Sequence, residues 1–138
     1  MRATFNVSPP HFLQPLLKKT DARLGLFVVG RPAPIATTVE SAFDSASRRR
    51  GLLGRDSLDP ATALVIAPSG MVHTFRMRFP IGAIFAARDG RVLKVRDHLV
   101  AGRIAGTLGA FATIEFAADV VTKLGVGRGD RLEVRTLE

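Results

Sequence analysis

His73 and two acidic residues, Glu115 and Asp119, are the side chains of this sequence best suited to acid–base chemistry. An imidazole held by a neighbouring carboxylate is a common general base. Glu115 and Asp119 are the carboxylates that we expect to fold nearest His73, although the sequence alone does not place them. One hypothesis is therefore a hydrolase-like acid–base enzyme that uses His73 with Glu115 or Asp119.

Arginine residues on both sides of His73 favour binding over catalysis. Guanidinium groups recognise carboxylates and phosphates through paired hydrogen bonds. The candidate binding residues are Arg55, His73, Arg76, Arg78 and Glu115, and no catalytic residue is assigned. The sequence holds no complete set of nucleophile, base and orienting group. We therefore expect a non-catalytic binding or accessory domain for a small anion or a peptide.

Metal, serine-nucleophile and phosphate-loop chemistry are all disfavoured. Cysteine is absent, and the three histidines show neither His-x-His nor His-Glu-x-x-His spacing, so we expect no metal and no cofactor. Ser69 lacks the preceding glycine of a nucleophile elbow. The glycine-rich stretch 125–129 follows a predicted helix and precedes a strand, which is the reverse of a phosphate loop.

Three consecutive arginines, Arg48, Arg49 and Arg50, have two interpretations. They fall in the last turn of a predicted helix, where cations stabilise the negative end of the helix dipole. They would also serve as an anion site. The sequence leaves both interpretations open.

The hydrophobic pattern predicts a mainly β domain, an antiparallel β-sandwich or partly open barrel with one main helix at about 41–50 and one short helix at about 119–124. Ser41 is the predicted N-cap of the main helix, and Asp119 that of the short one. In the predicted strand 71–79, His73, Phe75, Met77 and Phe79 share one face. The predicted strands are 24–29, 35–39, 63–67, 71–79, 81–87, 91–96, 110–116 and 131–135.

Turns and close packing define a further set of structural residues. An Asp-Gly pair at 89–90 is a strong hairpin signal. A glycine just after a helix ends it in a left-handed conformation. The predicted structural residues are Gly51, Gly54, Phe75, Met77, Pro80, Gly90, Gly125 and Asp130. Residues 1–23 are predicted to be an N-terminal tail, and 24–138 a single β-rich domain.

Composition limits the partners and the location. The net charge is +8, yet the basic residues are scattered and no Tyr or Trp is present for base stacking. We therefore expect no specific nucleic-acid binding, only weak salt-sensitive adhesion. No stretch reaches the length of a membrane span, and no signal peptide is evident. A cytoplasmic location is the default expectation, and the oligomeric state is unknown.

Five segments in order resemble the uncharacterised family called domain of unknown function 192. The family pattern is a helix ending in Arg-x-x-Gly-Leu-Met-Gly-Arg, then His-Thr-Phe-x-Met-Arg-Phe-Pro-Ile-Asp, an Asp-Gly hairpin, a Leu-Glu-like element and a Gly-Asp turn. This chain is similar at 48–55, 73–81, 89–90, 114–115 and 129–130. The resemblance covers about 35–136.

The resemblance implies a compact β-rich fold and no established activity. Many members are exported or membrane-tethered, which makes the cell envelope the alternative location. Two positions depart from the pattern: Gly82 stands where Asp is usual, and Arg76 stands where a small or uncharged residue is usual. If that Asp binds a ligand in relatives, this chain lacks it.

Overall fold

A five-stranded sheet forms the centre of the computed structural model, which describes residues 10–138. Its strand order is β2-β3-β8-β5-β6, and every pair is antiparallel except the parallel pair β2–β3. The strands are β1 Leu24–Val28, β2 Thr38–Ala42, β3 Thr62–Ile66, β4 Met71–His73, β5 Ile81–Ala86, β6 Val92–Leu99, β7 Ile104–Gly106, β8 Ala112–Ala117 and β9 Leu132–Thr136, and the helices are α1 Ser45–Arg50 and α2 Val120–Lys123. A 3₁₀ helix spans Gln14–Leu17.

Two short ribbons complete the fold. Strands β1 and β9 pair into one ribbon, and single bridges join it to both edges of the sheet, Leu26 to Ala36 beside β2 and Arg131 to Arg91 beside β6. Strands β4 and β7 form the other ribbon. The predicted mainly β fold with two helices is confirmed, and its sheets are antiparallel apart from the parallel pair β2–β3.

Strand β8 shows how the sequence builds two cores on opposite faces of the sheet. Ala112, Ile114 and Phe116 alternate onto the face covered by the β1–β9 ribbon. Thr113 and Glu115 point to the other face, which is covered by the segment after α1 and by the β4–β7 ribbon. That second core comprises Ala42, Leu52, Leu58, Leu64, Ile66, Val72, Met77, Ile81, Ala83, Phe85, Leu99 and Ala105. Glu115 is therefore a carboxyl group on a face otherwise built for burial.

The main helix begins later than predicted. Ser41 belongs to β2, and the N-cap of α1 is Asp44, whose Oδ1 accepts a hydrogen bond from Ser47 N at 2.8 Å. Residues 38–42 extend because each of them pairs with β3. The sequence prediction failed because the apolar spacing at 42, 43 and 46 fits a helix equally well.

The segment 71–79 is not one strand, so its predicted common face is wrong. Pairing stops at His73, and Arg76 adopts a left-handed φ of +66°. Thr74 causes the change: its buried Oγ1 donates to Val100 O at 2.6 Å and accepts from Arg103 N at 2.9 Å. Met77 is buried, whereas His73 and Phe75 are exposed.

Part of the predicted tail is packed on the domain. Leu13 lies in the first core and is 1% exposed, and Phe12 N donates to Arg88 O at 2.9 Å. Burying a leucine of this kind contributes about 2 kcal/mol. Residues 12 and 13 thus extend the domain on its N-terminal side.

The short helix α2 is capped from a neighbouring strand. Asp119 makes no side-chain capping bond, and Thr122 N instead donates to Oδ2 of Asp97 at 2.6 Å. Asp119 is the N-cap residue, as predicted, but it has a left-handed φ of +72° and its carboxylate contacts His98 instead of capping the helix. A Cβ atom on Gly82 would overlap Oδ1 of Asp97. The carboxylate of Asp97 therefore occupies the space beside position 82.

Candidate functional site

A cavity of about 450 Å³ opens between the C-terminal end of α1 and strand β4. It lies on the face of the sheet that holds the second core. Its lining residues are Ser45, Arg48, Arg49, Arg50, Gly51, Leu52, Leu53, Ile66, Pro68, Ser69, Met71, Val72, His73, Met77 and Glu115. We refer to it as the arginine-rimmed cavity. Its volume falls within the range of small-molecule sites.

Glu115 is a buried carboxyl group in the wall of the arginine-rimmed cavity. It is 3% exposed, and its Oε1 atom has no hydrogen-bond partner within residues 10–138. Burial raises the pKa of Glu115 to about 7, and the charge of Arg55 opposes that rise. A buried polar atom without a partner is costly and uncommon in folded proteins. Its position in a cavity wall makes it a candidate ligand contact.

Arg55 lies close to Glu115 but is held by another carboxylate. Register places Glu40, Leu64 and Glu115 side by side on β2, β3 and β8, so the two carboxyl-bearing residues are two strands, or roughly 10 Å, apart. Arg55 donates two hydrogen bonds to Glu40, at 2.7 and 3.2 Å. The paired guanidinium lowers the pKa of Glu40. Arg55 therefore supplies positive potential to Glu115 rather than a hydrogen bond.

Two of the three helix arginines are available at the cavity rim. Arg48 is held by the helix itself, since it donates to Phe43 O at 2.6 Å and to Ser45 Oγ at 3.4 Å. Arg49 and Arg50 are exposed, and neither guanidinium forms a hydrogen bond or ion pair with any residue of 10–138. An exposed arginine gives up little hydration when it meets an anion. Arg49 and Arg50 are thus the groups best placed to meet a ligand.

Gly51 leaves Glu115 uncovered on the side of α1. It ends the helix with a φ of +48° and a ψ of −125°, a conformation that favours glycine, and its N–H donates to Ser47 O. A Cβ atom at this position would stand 3.6 Å from Oε1 of Glu115. A side chain here would cover the carboxyl group. Gly54, also predicted as structural, has a φ of +85° with open space around it.

The structure brings His73 to the same cavity as Glu115 without joining the two residues. His73 is exposed and stacks on Phe75, with 5.4 Å between ring centroids. Because Oε1 of Glu115 has no partner, His73 is not hydrogen-bonded to that atom. Asp119 contacts His98 Nδ1 at 3.2 Å and does not line the cavity. The predicted pairing of His73 with Asp119 is therefore wrong in this structure.

The other predicted residues lie outside the cavity or form turns. Arg78 pairs with Asp56 at 2.8 Å on the surface, and Arg76 is exposed in the turn after β4. Pro80 directly precedes β5. Asp130 accepts from Gly127 N at 2.9 Å in the turn before β9, and Gly125, at a φ of +66°, follows α2.

Cavity residues that the sequence analysis did not select include Ser69 and Met71. A serine and a methionine are too common to indicate a binding site from sequence. Their role is visible only in the fold, where β4 lies beside α1. Within residues 10–138, no three His, Asp or Glu residues cluster in a way that would hold a metal ion. The same part of the chain contains no helix that is both long and apolar enough to span a membrane.

The sequence that forms this cavity matches the model of a protein family. The model of DUF192, described as "Uncharacterized ACR", matches residues 28–134, which is most of the chain. This chain is a DUF192 protein. The family's function is not established, and no curated protein matches the chain.

Two solved structures share the DUF192 architecture seen here. One is a candidate transcription regulator from Sinorhizobium meliloti 1021, 27% identical, with a TM-score of 0.71 over 82% of this chain and 92% of that chain. The other is a protein of unknown function from Novosphingobium aromaticivorans DSM 12444, 22% identical, with a TM-score of 0.69 over 78% of this chain and 82% of that chain. The second likeness concerns the fold alone.

Proposed function

We propose that this DUF192 domain binds a small anionic molecule, or the acidic end of a peptide, in the arginine-rimmed cavity without catalysing a reaction on it. The observation that carries the proposal is the combination of two unpaired rim arginines, Arg49 and Arg50, with a buried unpaired carboxyl, Glu115, in one cavity of about 450 Å³. Both features are polar groups that have no hydrogen-bond or ion-pair partner within residues 10–138.

Binding explains why the positive charge at the rim is left uncompensated. Within residues 10–138, five arginines pair with carboxylates, among them Arg78 with Asp56 and Arg131 with Asp89, whereas others, such as Arg76, form no ion pair. Arg49 and Arg50 follow each other at the end of α1, where no acidic residue lines the cavity except the buried Glu115. An incoming carboxylate or phosphate would complete the hydrogen bonding of both guanidinium groups.

Catalysis has less support from the same geometry. A general base needs a positioned partner within hydrogen-bond reach. His73 stacks on an aromatic ring instead, and Glu115 is more than nine-tenths buried. The acid–base hypothesis with His73 and Glu115 therefore stays a prediction without a supporting contact.

The proposal predicts that rim arginines control anion affinity. Replacing both Arg49 and Arg50 with Ala is expected to weaken binding of butanoate or an acidic tetrapeptide about tenfold, because an exposed pair of opposite charges contributes up to about 1 kcal/mol and two such pairs are lost. Isothermal titration calorimetry at low ionic strength measures the change. Arg128→Ala is the matched control, since Arg128 is exposed and lies outside the cavity lining.

Two results would contradict this function. One is an absence of saturable heat with every anion tested on the unaltered protein. The other is an equal loss of affinity in Arg128→Ala and in the double variant, which would mean that net charge rather than the cavity attracts the anion.

Adhesion to nucleic acid remains a separate prediction, and the description of the Sinorhizobium protein as a candidate transcription regulator is a reason to test it. With a net charge of +8, we expect weak binding that is independent of sequence. In gel shifts, raising salt from about 50 to 200 mM should abolish it, because binding through phosphate contacts falls steeply with salt. Salt-resistant, sequence-dependent binding would replace the anion proposal with DNA recognition. A cytoplasmic location also stays a prediction, which cell fractionation would test.

A further inference from the structure

The most deeply buried polar group of the arginine-rimmed cavity is the carboxyl group of Glu115, and a simple carboxylate ligand would leave its ionised form without a donor. Such a ligand has no hydrogen to donate to Oε1 of Glu115. Bringing it close would also disfavour the ionised carboxylate. Arg49 and Arg50 at the rim favour a negatively charged group, and Glu115 in the wall favours a hydrogen-bond donor. These two requirements are met together only when the ligand has two different ends.

Within residues 10–138, no group donates a hydrogen bond to Oε1 of Glu115. Arg55, whose charge acts on Glu115, donates its two side-chain hydrogen bonds to Glu40. Ser69, one of the two serines that line the cavity, hydrogen-bonds with Met71 O at 3.0 Å and with Thr113 Oγ1 at 3.3 Å. Gly51 contributes no side chain and leaves the approach to Oε1 open. The donor that Glu115 lacks must therefore come from a molecule inside the cavity.

We infer that the ligand is bipolar, with a carboxylate or phosphate at Arg49 and Arg50 and an ammonium or other N–H donor at Oε1 of Glu115. This inference rests on the proposed function and narrows its ligand class to amino acids, short peptides and related zwitterions. The remaining wall supports a short apolar spacer between the two ends. Its apolar lining residues are Leu52, Leu53, Ile66, Pro68, Met71, Val72 and Met77.

The site also selects against simpler molecules. A monocarboxylate of equal length would satisfy the rim and leave Glu115 without a donor. A dicarboxylate would place a second negative charge beside the buried carboxyl. A primary alkylammonium ion would meet Glu115 but would add positive charge beside Arg49 and Arg50. Discrimination among these molecules is therefore a direct readout of the two-ended site.

A ladder of ω-amino acids tests the inference. Glycine, 4-aminobutanoate, 6-aminohexanoate and 8-aminooctanoate would each be titrated by calorimetry beside the monocarboxylate of the same chain length. We expect at least one amino acid to bind tenfold or more tighter than its matched carboxylate, because an ammonium–carboxylate hydrogen bond is charge-assisted. The series of chain lengths samples different distances between the rim arginines, Arg49 and Arg50, and Glu115. It uses the unaltered protein, so it needs no variant to fold.

Variants then assign the two ends. Glu115→Gln keeps the shape and removes the charge, so it should reduce the advantage of the amino acid over its carboxylate to about threefold or less. Arg49→Ala with Arg50→Ala should weaken both molecules together. Gly51→Ala, which places a methyl group over Oε1, should weaken the amino acid more than Gly54→Ala does, because both glycines have positive φ and only Gly51 faces Glu115.

The outcomes separate the inference from the proposed function. If carboxylates bind in the cavity as tightly as their amino counterparts at every length, Glu115 is satisfied by solvent and the bipolar ligand is wrong, while anion binding stands. If neither series binds, the proposed function fails and the inference fails with it. An amino-acid advantage that survives unchanged in Glu115→Gln would also overturn the inference.

Discussion

Replacing Glu115 with Gln is expected to stabilise the protein, relative to the unaltered chain, progressively as the pH rises from 5 to 8.5. The folded state holds Glu115 in a buried site that raises its pKa from 4.5 to about 7, whereas the unfolded chain keeps the ordinary value. Between these two pH values, the unfolded state releases a proton that the folded state retains. The free energy of unfolding therefore falls as the pH rises through this window.

The magnitude follows from the size of the pKa change. Each pKa unit corresponds to about 1.4 kcal/mol, so the buried carboxyl lowers the free energy of unfolding by about 3 kcal/mol once the pH exceeds about 7. Below pH 4.5 both states are protonated and the cost vanishes. A glutamine amide has nearly the shape of the protonated acid and does not titrate. The variant should lack this pH-dependent loss.

Urea unfolding of both proteins at pH 5, 6, 7 and 8.5 measures the effect. The other titrating groups are common to the two proteins and cancel in the difference. The account predicts that the stability difference between the variant and the unaltered chain grows by about 2.5 kcal/mol over this range, because part of the effect is already present at pH 5. A difference that stays constant with pH would mean that Glu115 is solvated or already paired, and it would remove the main feature of the proposed site.

Replacing Gly90 with Ala is expected to destabilise the fold by about 3 kcal/mol or more. Gly90 is buried in the turn before β6 with a φ of +90°, and a Cβ atom there would overlap the carbonyl oxygen of Leu132. That oxygen belongs to a backbone held in place, because Leu132 N donates to Gly90 O at 2.8 Å. In Gly90→Ala, the cost of a left-handed backbone conformation and the cost of the steric overlap therefore add.

Gly129 provides a matched control for the strain alone. It has a φ of +96°, and a Cβ atom there would meet nothing within 4 Å. Gly129→Ala should cost only about 1–2 kcal/mol, the conformational part of the Gly90 effect. Chemical unfolding of the two variants compares them. Equal costs would show that the contact between the Gly90 turn and β9 is loose, and that the barrel does not close tightly at this edge.

Local patterns were sufficient to predict several of the strands. In β8, Ala112, Ile114 and Phe116 alternate with Thr113 and Glu115, and strand geometry places the two sets on opposite faces of the sheet. The Asp-Gly turn at 89–90 and the glycine that ends α1 at 51 also follow from local backbone preferences. These elements need no information about distant partners.

Features that depend on distant contacts could not be predicted in this way. The strand after Met71 ends because Thr74 binds the loop at 100–103, which is more than twenty residues away along the chain. The parallel pairing of β2 with β3 extends residues whose spacing also fits a helix. Such pairings depend on tertiary structure, which overrides local propensity.

The candidate site shows the same division between local and distant information. His73 and Glu115 were selected for their chemistry, and the fold places both on one cavity. Arg55 was selected for its charge, but its bond to Glu40 links residues fifteen positions apart and could not be foreseen. The three arginines of α1 fitted helix stabilisation and anion binding equally well. The hydrogen bonds of Arg48 to Phe43 O and Ser45 Oγ distinguish it from Arg49 and Arg50, and the sequence does not show them.

The most direct measurement is an NMR titration of isotope-labelled protein with 6-aminohexanoate, followed in the unaltered chain and in the Arg49→Ala, Arg50→Ala double variant. The account predicts saturable shifts confined to backbone signals around the cavity, at Gly51, Ser69, Met71 and His73, and their loss in the double variant. Shifts spread over the surface, or unchanged by removing the two arginines, would contradict a ligand site in this cavity.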